Sequence, residues 1–537
     1  MKKNILLGLV VIIFIGIFLR FYQLGQVPNS LNWDEVSWGY NAYSIGMTGK
    51  DEYGVTFPLS FKAFGDFKQP VYVYLDAIPT LLFGLTGFAV RFPSAVFGSL
   101  TILSVFFLVR ELFYKENKRD YLSLVVAALF AISPWSIQFS RVAFEANVGI
   151  FFTITGVAIL LAGMRRNSFW QIALGSIIMS VSCYTYHSQK IFTPLLFGSI
   201  FLLNFRYWLK RRNLAAILLI VFLVANIFWL LDMRTTARGR SVLFTSNQTQ
   251  LLSESTQRLI KDNERGDVLG KIIDNRRLVY TNIFFSNYLS HFNPMYLFLT
   301  GDNPRHHPPE MGDLYLVAFP FILLGMIMLW RKQRPETFII FVWFLLAPVA
   351  SSLAVDAPNA SRSMVFLPIW DIFTGLGILA AISSLKKYVR PVVSLSIISL
   401  AFLISFVYYF HMYFVHTDLQ NAYDWQYGYR EAVQYVTDYQ KKHEGNAFFA
   451  STFEQPYIFY LFYAHVDPRE YISTGGSKPL LTPCFQIQKS YFGKCLTKLT
   501  TGDLYLSFDE VTDKHLAKLR DIHYPNDEIA IRIYKYQ

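Results

Sequence analysis

Apolar runs long enough to cross a bilayer recur from Ile5 to about residue 414 of this 537-residue chain, separated by short loops that carry clusters of Lys and Arg. A run of about 20 apolar residues is best buried in lipid, where a helix satisfies its own backbone. Such a pattern cannot close around one water-soluble core. Hydrophobic residues make up 53% of the sequence and charged residues 16%. A soluble protein of this size would carry about 25% charge. The net charge of +12 does not signal a nucleic-acid partner, because the basic residues sit in the short loops. There they report membrane orientation. The expected class is a polytopic α-helical membrane protein.

Orientation follows from those loops. Lys2 and Lys3 precede the first run, and Phe18-Leu19-Arg20-Phe21-Tyr22 contains no small-x-small cleavage site, so the run reads as an uncleaved span starting in the cytoplasm. The stretch from Val71 to about Phe83 is short and interrupted by Asp76 and Pro79. Read as a juxtamembrane helix on the outer surface, it leaves five basic clusters inside: 115–119, 165–166, 206–212, 331–334 and 386–387. If it crossed, all five would move outside. The spacing therefore predicts eleven spans, near 5–19, 92–113, 121–138, 146–164, 169–185, 191–205, 214–232, 314–330, 337–355, 364–383 and 391–414. The membrane part is 1–415, with outer loops 25–90 and 233–312. The expected location is the cell membrane, multi-pass, in contact with membrane lipids.

Residues 416–537 lose the long apolar runs and gain alternation. The stretches 447–451, 504–508 and 529–534 read as strands, and 428–436 and Lys514 to Arg520 as amphipathic helices. This predicts a small α/β domain on the outer face, without a nucleotide loop or metal-ligand spacing. Cys484 and Cys495 lie close together in it and could pair outside the cell, whereas Cys183 falls in an apolar run. Sequence alone leaves the pairing open.

Reactive side chains collect on the outer side. Asp34 and Glu35 stand between Trp33 and Trp38 at a membrane edge, where an acid can lose solvation and serve as a general base. The blander alternative is that the pair caps a short surface helix. For Lys68 and Lys190 the alternative is snorkelling to headgroups. Arg141 and Glu145 have the spacing of a helix-surface ion pair, His187 could be a structural histidine, and Arg305-His306-His307 could bind nothing. Adjacent His306 and His307 suit zinc less well than residues spaced on a helix face. Arg362 completes the outer set. Taken together, carboxylates with a ring of Lys, Arg and His suit activation of a hydroxyl and stabilisation of a leaving phosphate.

At these residues the sequence resembles the family 39 glycosyltransferases, which include protein O-mannosyltransferases and the aminoarabinose transferases of lipid A. The resemblance runs from about residue 15 to 380. It rests on Asp34-Glu35, Lys68-Gln69-Pro70, Arg91-Phe92-Pro93-Ser94-Ala95, Ser133-Pro134-Trp135 with Phe139-Ser140-Arg141, Tyr184-Thr185-Tyr186-His187 and Arg305-His306-His307. It implies the type C glycosyltransferase fold and inverting sugar transfer from a polyprenyl-phosphate donor to an acceptor hydroxyl on a protein, lipid or cell-wall polymer. Asp34 would match the catalytic acid, with Glu35 supporting it, and Lys68 the phosphate-contacting lysine, although Gln69 separates it from the proline. Arg305, His306, Arg362 and His187 would contact the donor phosphate. Arg141 and Glu145 belong to the second outer loop, where Glu145 replaces the aspartate common in relatives. No cofactor is implied for certain, and whether a divalent metal assists stays open. Two rival readings remain: a transporter or flippase of lipid-linked sugars, which would need ionisable residues inside the spans and an inverted repeat, and a surface-binding protein acting through residues 416–537.

Overall fold

The structure, a computed structural model, describes residues 2–231, 243, 248–332, 335–478, 483–495 and 499–537. Gln333 and Arg334 of one basic cluster, and residues 233–242 and 244–247 of the long outer loop, lie outside the described residues. The elements that carry the argument are α1 (Lys3–Phe21), α2 (Trp33–Thr48), a hairpin of β1 (Phe61–Ala63) and β2 (Asp66–Lys68), α3 (Pro70–Phe83), α4 (Gly87–Leu112), α5 (Arg119–Ile132), α6 (Pro134–Arg141), α7 (Glu145–Arg166), α8 (Phe169–Cys183) and α9 (Gln189–Leu203). The chain divides into two units. One holds Met1–Leu19, Phe97–Phe139 and Ala146–Tyr408; the other holds Arg20–Val96, Ser140–Glu145 and Tyr409–Gln537.

Among the described residues six helices are long and apolar enough to cross a membrane: Lys3–Phe21, Gly87–Leu112, Glu145–Arg166, Arg212–Leu231, Met364–Leu385 and Pro391–Gln420. A seventh would be α5 with α6, bent by 54° where Pro134 follows Ser133. Proline removes a backbone donor and clashes with the preceding turn, so a break falls there. The other four expected spans coincide with the shorter apolar helices Phe169–Cys183, Gln189–Leu203, Leu316–Arg331 and Phe338–Ser352. At 1.5 Å per residue these fall short of a hydrocarbon core of about 30 Å. Among the described residues six or seven helices, rather than the expected eleven, therefore meet the length criterion.

Small residues set the helix packing of the helical unit. A Cβ on Gly175 of α8 would lie 2.6 Å from Leu160 N and 2.8 Å from Gly156 O of α7. Gly325 likewise faces the Phe373 carbonyl, and Gly377 the Phe321 carbonyl, with no room for a side chain. Close backbone approach replaces the hydrophobic drive that helices lack in lipid. Gly377→Ala should therefore cost about 1–3 kcal/mol, read as a lowered melting temperature in detergent. Gly198→Ala, with nothing within 4 Å of the new Cβ, should leave it almost unchanged.

In the second unit α2 packs on α3, with the Trp38 and Tyr72 rings 5.6 Å apart. Its sheet has six strands in the order β4-β5-β3-β6-β8-β7, with β3 (Ala447–Phe449), β4 (Cys484–Ile487), β5 (Ser490–Gly493), β6 (Leu504–Ser507), β7 (Leu516–His523) and β8 (Ile529–Tyr536). Central β3 pairs in parallel with β5 and β6 and is wholly buried, as its unbroken Ala447-Phe448-Phe449 run requires. The expected strands at 447–451, 504–508 and 529–534 correspond to β3, β6 and β8, and the expected helix at 428–436 extends over Tyr429–Lys442. Cys484 and Cys495 are disulfide-bonded. The expected helix from Lys514 to Arg520 is corrected: most of it is strand β7, antiparallel to β8. Leu516, Leu519 and Ile522 imitate helical spacing because a register shift between Lys518 and Arg520 interrupts the alternation.

Candidate functional site

Asn32 begins α2 because its side chain can accept the amides that a helix N-terminus leaves unpaired. Its Oδ1 takes Asp34 N at 2.9 Å and Glu35 N at 3.1 Å. Glu35 Oε2 accepts Asn32 N at 3.2 Å, which completes a capping box. The same carboxylate accepts Arg91 Nε at 2.9 Å, Arg91 Nη2 at 3.2 Å and Ala143 N at 3.0 Å. Both side chains of the Glu35–Arg91 pair are 0% exposed. Four donors and full burial make Glu35 a brace of the site.

Two buried guanidiniums fix the segment that leads into α2. Arg91 donates to the carbonyls of Leu24 (3.3 Å), Pro28 (2.8 Å) and Ser30 (2.7 Å). Arg141 donates to those of Tyr22 (2.6 Å), Gln23 (3.3 Å) and Val27 (3.2 Å). It also donates to Tyr413 Oη at 3.2 Å and lies 4.7 Å from the Phe414 ring centre. Arginine suits this because its planar fork can serve several carbonyls at once. Glu145 opens α7 and is 5% exposed.

Asp34, one residue before Glu35, has a different environment. Its side chain keeps 31% exposure, and its Oδ1 lies 2.6 Å from Lys68 Nζ, whose side chain is only 7% exposed. Trp33 Nε1 donates to Asp34 Oδ2 at 3.2 Å. The lysine is held by the hairpin: Phe64 and Gly65 both adopt positive φ, as a two-residue turn with the strand twist demands, and Phe61 pairs with Lys68. The ammonium then lies 4.3 Å from the Trp38 ring centre and 5.1 Å from that of Phe64. Those electron-rich faces compensate a buried cation. An accessible carboxylate beside a caged cation can take a proton and neutralise an anion within one small volume.

The remaining expected residues lie in the helical unit. Asp302 Oδ2 accepts Ala360 N at 2.8 Å and lies 2.8 Å from His306 Nδ1. The His306 ring packs 5.3 Å from Phe139. Burial opposes the Asp302 charge, but His306 and the Ala360 amide outweigh it and hold the carboxyl below its ordinary value. Burial, then the Asp302 charge, pushes Asp313 well above its own. Arg305 accepts Gln138 Nε2 on its carbonyl at 2.7 Å, and its amide donates to Asn303 Oδ1 at 3.0 Å. Arg362 pairs with Asp356. Ser361 donates to Tyr186 Oη at 3.1 Å, beside His187 in the turn between α8 and α9. Asp302→Asn should loosen His306 at a cost of about 1–3 kcal/mol, seen as a lower melting temperature that His306→Ala does not lower much further.

Sequence reasoning missed Asp302 and the bracing role of Arg91. For Asp302 the signal was its four-residue spacing to His306. Arg91 carried none, because its partners are distant in sequence. No group of three or more His, Cys, Asp or Glu side chains that could hold a metal ion occurs among the described residues.

Residues 68–229 match the sequence family of dolichyl-phosphate-mannose-protein mannosyltransferases. No curated protein sequence matches the chain. The fold is similar to ArnT from Cupriavidus metallidurans in the apo state, at 12% identity and a TM-score of 0.56, covering 98% of this chain and 97% of that one. ArnT bound to undecaprenyl phosphate gives 13%, 0.53 and the same coverage. The archaeal oligosaccharyltransferase AglB from Archaeoglobus fulgidus, in complex with an inhibitory peptide and a dolichol-phosphate, gives 13% identity and a TM-score of 0.50, covering 86% of this chain. This chain spans 64% of the length of AglB. The resemblance to membrane glycosyltransferases thus extends from motifs to fold.

Proposed function

We propose that the chain is a membrane glycosyltransferase that moves a sugar from a polyprenyl-phosphate donor to an acceptor hydroxyl, with inversion. The observation that carries this reading is the Asp34–Lys68 pair, an accessible carboxylate 2.6 Å from a largely buried ammonium. In the proposed step the acceptor oxygen attacks the anomeric carbon as its proton passes to Asp34. The bond from that carbon to the phosphate oxygen breaks, and its electron pair leaves with the polyprenyl phosphate. Lys68 stabilises the charge developing on that oxygen. Glu35 holds the helix that presents Asp34. Arg305, His306, Arg362 and His187 are carried as donor-phosphate contacts on their chemistry alone.

The lipid phosphates in the ArnT and AglB structures support a lipid-linked donor. The Cys484–Cys495 disulfide supports an oxidising, extracytoplasmic side for residues 416–537 and for the active site, whose Asp34 and Lys68 belong to the same unit. A hexose or a pentose would fit the reaction equally. To test the reading, purified protein in nanodiscs is offered a panel of polyprenyl-phosphate sugars, and free polyprenyl phosphate is measured. Release from one donor is expected and names the sugar. Binding without release, even when membrane extract supplies acceptors, would contradict it, and movement of intact donor across vesicles would favour a flippase.

A further inference from the structure

We propose that Glu52 is a positioning residue through which residues 474–477, late in the chain, hold α2 and thereby keep Asp34 in register with Lys68. The inference rests on the reading of Asp34 as general base. Glu52 is 0% exposed, and its bonds form a closed set. Its Oε1 accepts Asn41 Nδ2 at 2.9 Å, while its own amide donates to Asn41 Oδ1 at 3.0 Å. Its Oε2 accepts Ser477 Oγ, and its carbonyl accepts Ser477 N at 2.9 Å. Gly476 must be a glycine here: its φ is +59°, and a Cβ would lie 2.5 Å from the Glu52 carbonyl. Tyr471 Oη lies 3.0 Å from Ser477 Oγ, and Tyr40 Oη donates to the Val466 carbonyl at 3.2 Å, a second tie to the same region.

Asn41 follows Asp34 by seven residues on α2, two turns along the same face of the helix. A shift at Asn41 is therefore transmitted to the carboxylate.

Burial raises the Glu52 carboxyl to about 7, against the hydrogen bonds from Ser477 and Asn41. The groups around it are Asp51 and Tyr53 on its own segment, Tyr40 on α2, Lys68 on β2, Tyr457 on helix Pro456–Tyr463 and Tyr471 on helix Pro468–Ser473. Burial keeps the four phenols neutral, so Asp51 and Lys68 are the charges it meets. A carboxyl raised above its unfolded value favours the fold in its acid form. That contribution to stability is full below about pH 4.5 and is lost as pH rises through about 7.

The test compares full-length wild type, Glu52→Gln and Glu52→Leu in nanodiscs, with two readouts: donor turnover against pH, and hydrogen exchange of α2 amides 36–45. Wild-type kcat should fall as pH rises through about 7, and Glu52→Gln should lose that fall while donor KM stays within about twofold. Glu52→Leu should lower kcat at least tenfold at unchanged KM and speed α2 exchange, with β6 and β8 still protected. Wild-type turnover and exchange in Glu52→Leu would overturn the proposal. So would simultaneous loss of protection in α2, β6 and β8, which marks a general folding role. If wild type turns over no donor, the reading of Asp34 fails while the exchange arm still decides the anchor.

Discussion

Asp34→Asn is expected to lower kcat for sugar transfer by about 10²–10⁴-fold, the range associated with a positioned general base. The fold should survive the change. Asn32 caps α2 through the backbone amides of residues 34 and 35, not through the Asp34 carboxylate, so the helix start should hold, and the lost partner of Lys68 should lower the melting temperature less than breaking the fully sealed Glu35–Arg91 pair. Donor KM should also hold, because Lys68, released from its partner 2.6 Å away, still offers its charge to a phosphate. The converse variant, Lys68→Met, should lose about 10²–10³-fold in kcat, as happens when one donor to a developing oxyanion is removed. A loss confined to KM in either variant would mean that the pair only binds substrate.

The second large effect concerns stability. Breaking the Glu35–Arg91 pair leaves a fully buried charge without its partner, at a cost of about 3–5 kcal/mol. Glu35→Leu and Arg91→Met should each strongly reduce folded protein recovered in detergent and the melting temperature of what remains. The double variant should recover only part of the loss. An apolar pair can replace an ion pair, but Arg91 also serves the carbonyls of Leu24, Pro28 and Ser30, and these would be orphaned in both. The difference between the double variant and the sum of the singles measures the pair itself. Wild-type stability in Arg91→Met and in the double variant would remove Arg91 as the brace of the segment before α2.

Adjacent acids at 34 and 35 look alike in a sequence, yet they are about 100° apart around a helix. One turns to Arg91 and is sealed; the other turns to Lys68 and stays accessible. That division depends on partners 56 and 34 residues away, which no local pattern encodes. Arg141 shows the same limit. Its four-residue spacing to Glu145 suggested a helix-surface pair, whereas its guanidinium serves carbonyls near residues 22–27. The apolar runs were legible because lipid demands helices wherever they occur. Their lengths were less so, because composition does not show where a run such as 121–138 breaks at Ser133-Pro134. Strand β7 was misread because one irregular position converted alternation into helical spacing.

The most direct test follows the anomeric carbon. Purified protein in nanodiscs receives a polyprenyl-phosphate sugar labelled with carbon-13 at C1, together with acceptor-bearing membrane extract, and the product is examined by NMR. The account predicts that the label leaves the phosphate and appears on an acceptor oxygen with the opposite anomeric configuration, the signature of a single displacement assisted by a base. Retained configuration, or a label that stays on the phosphate, would contradict it.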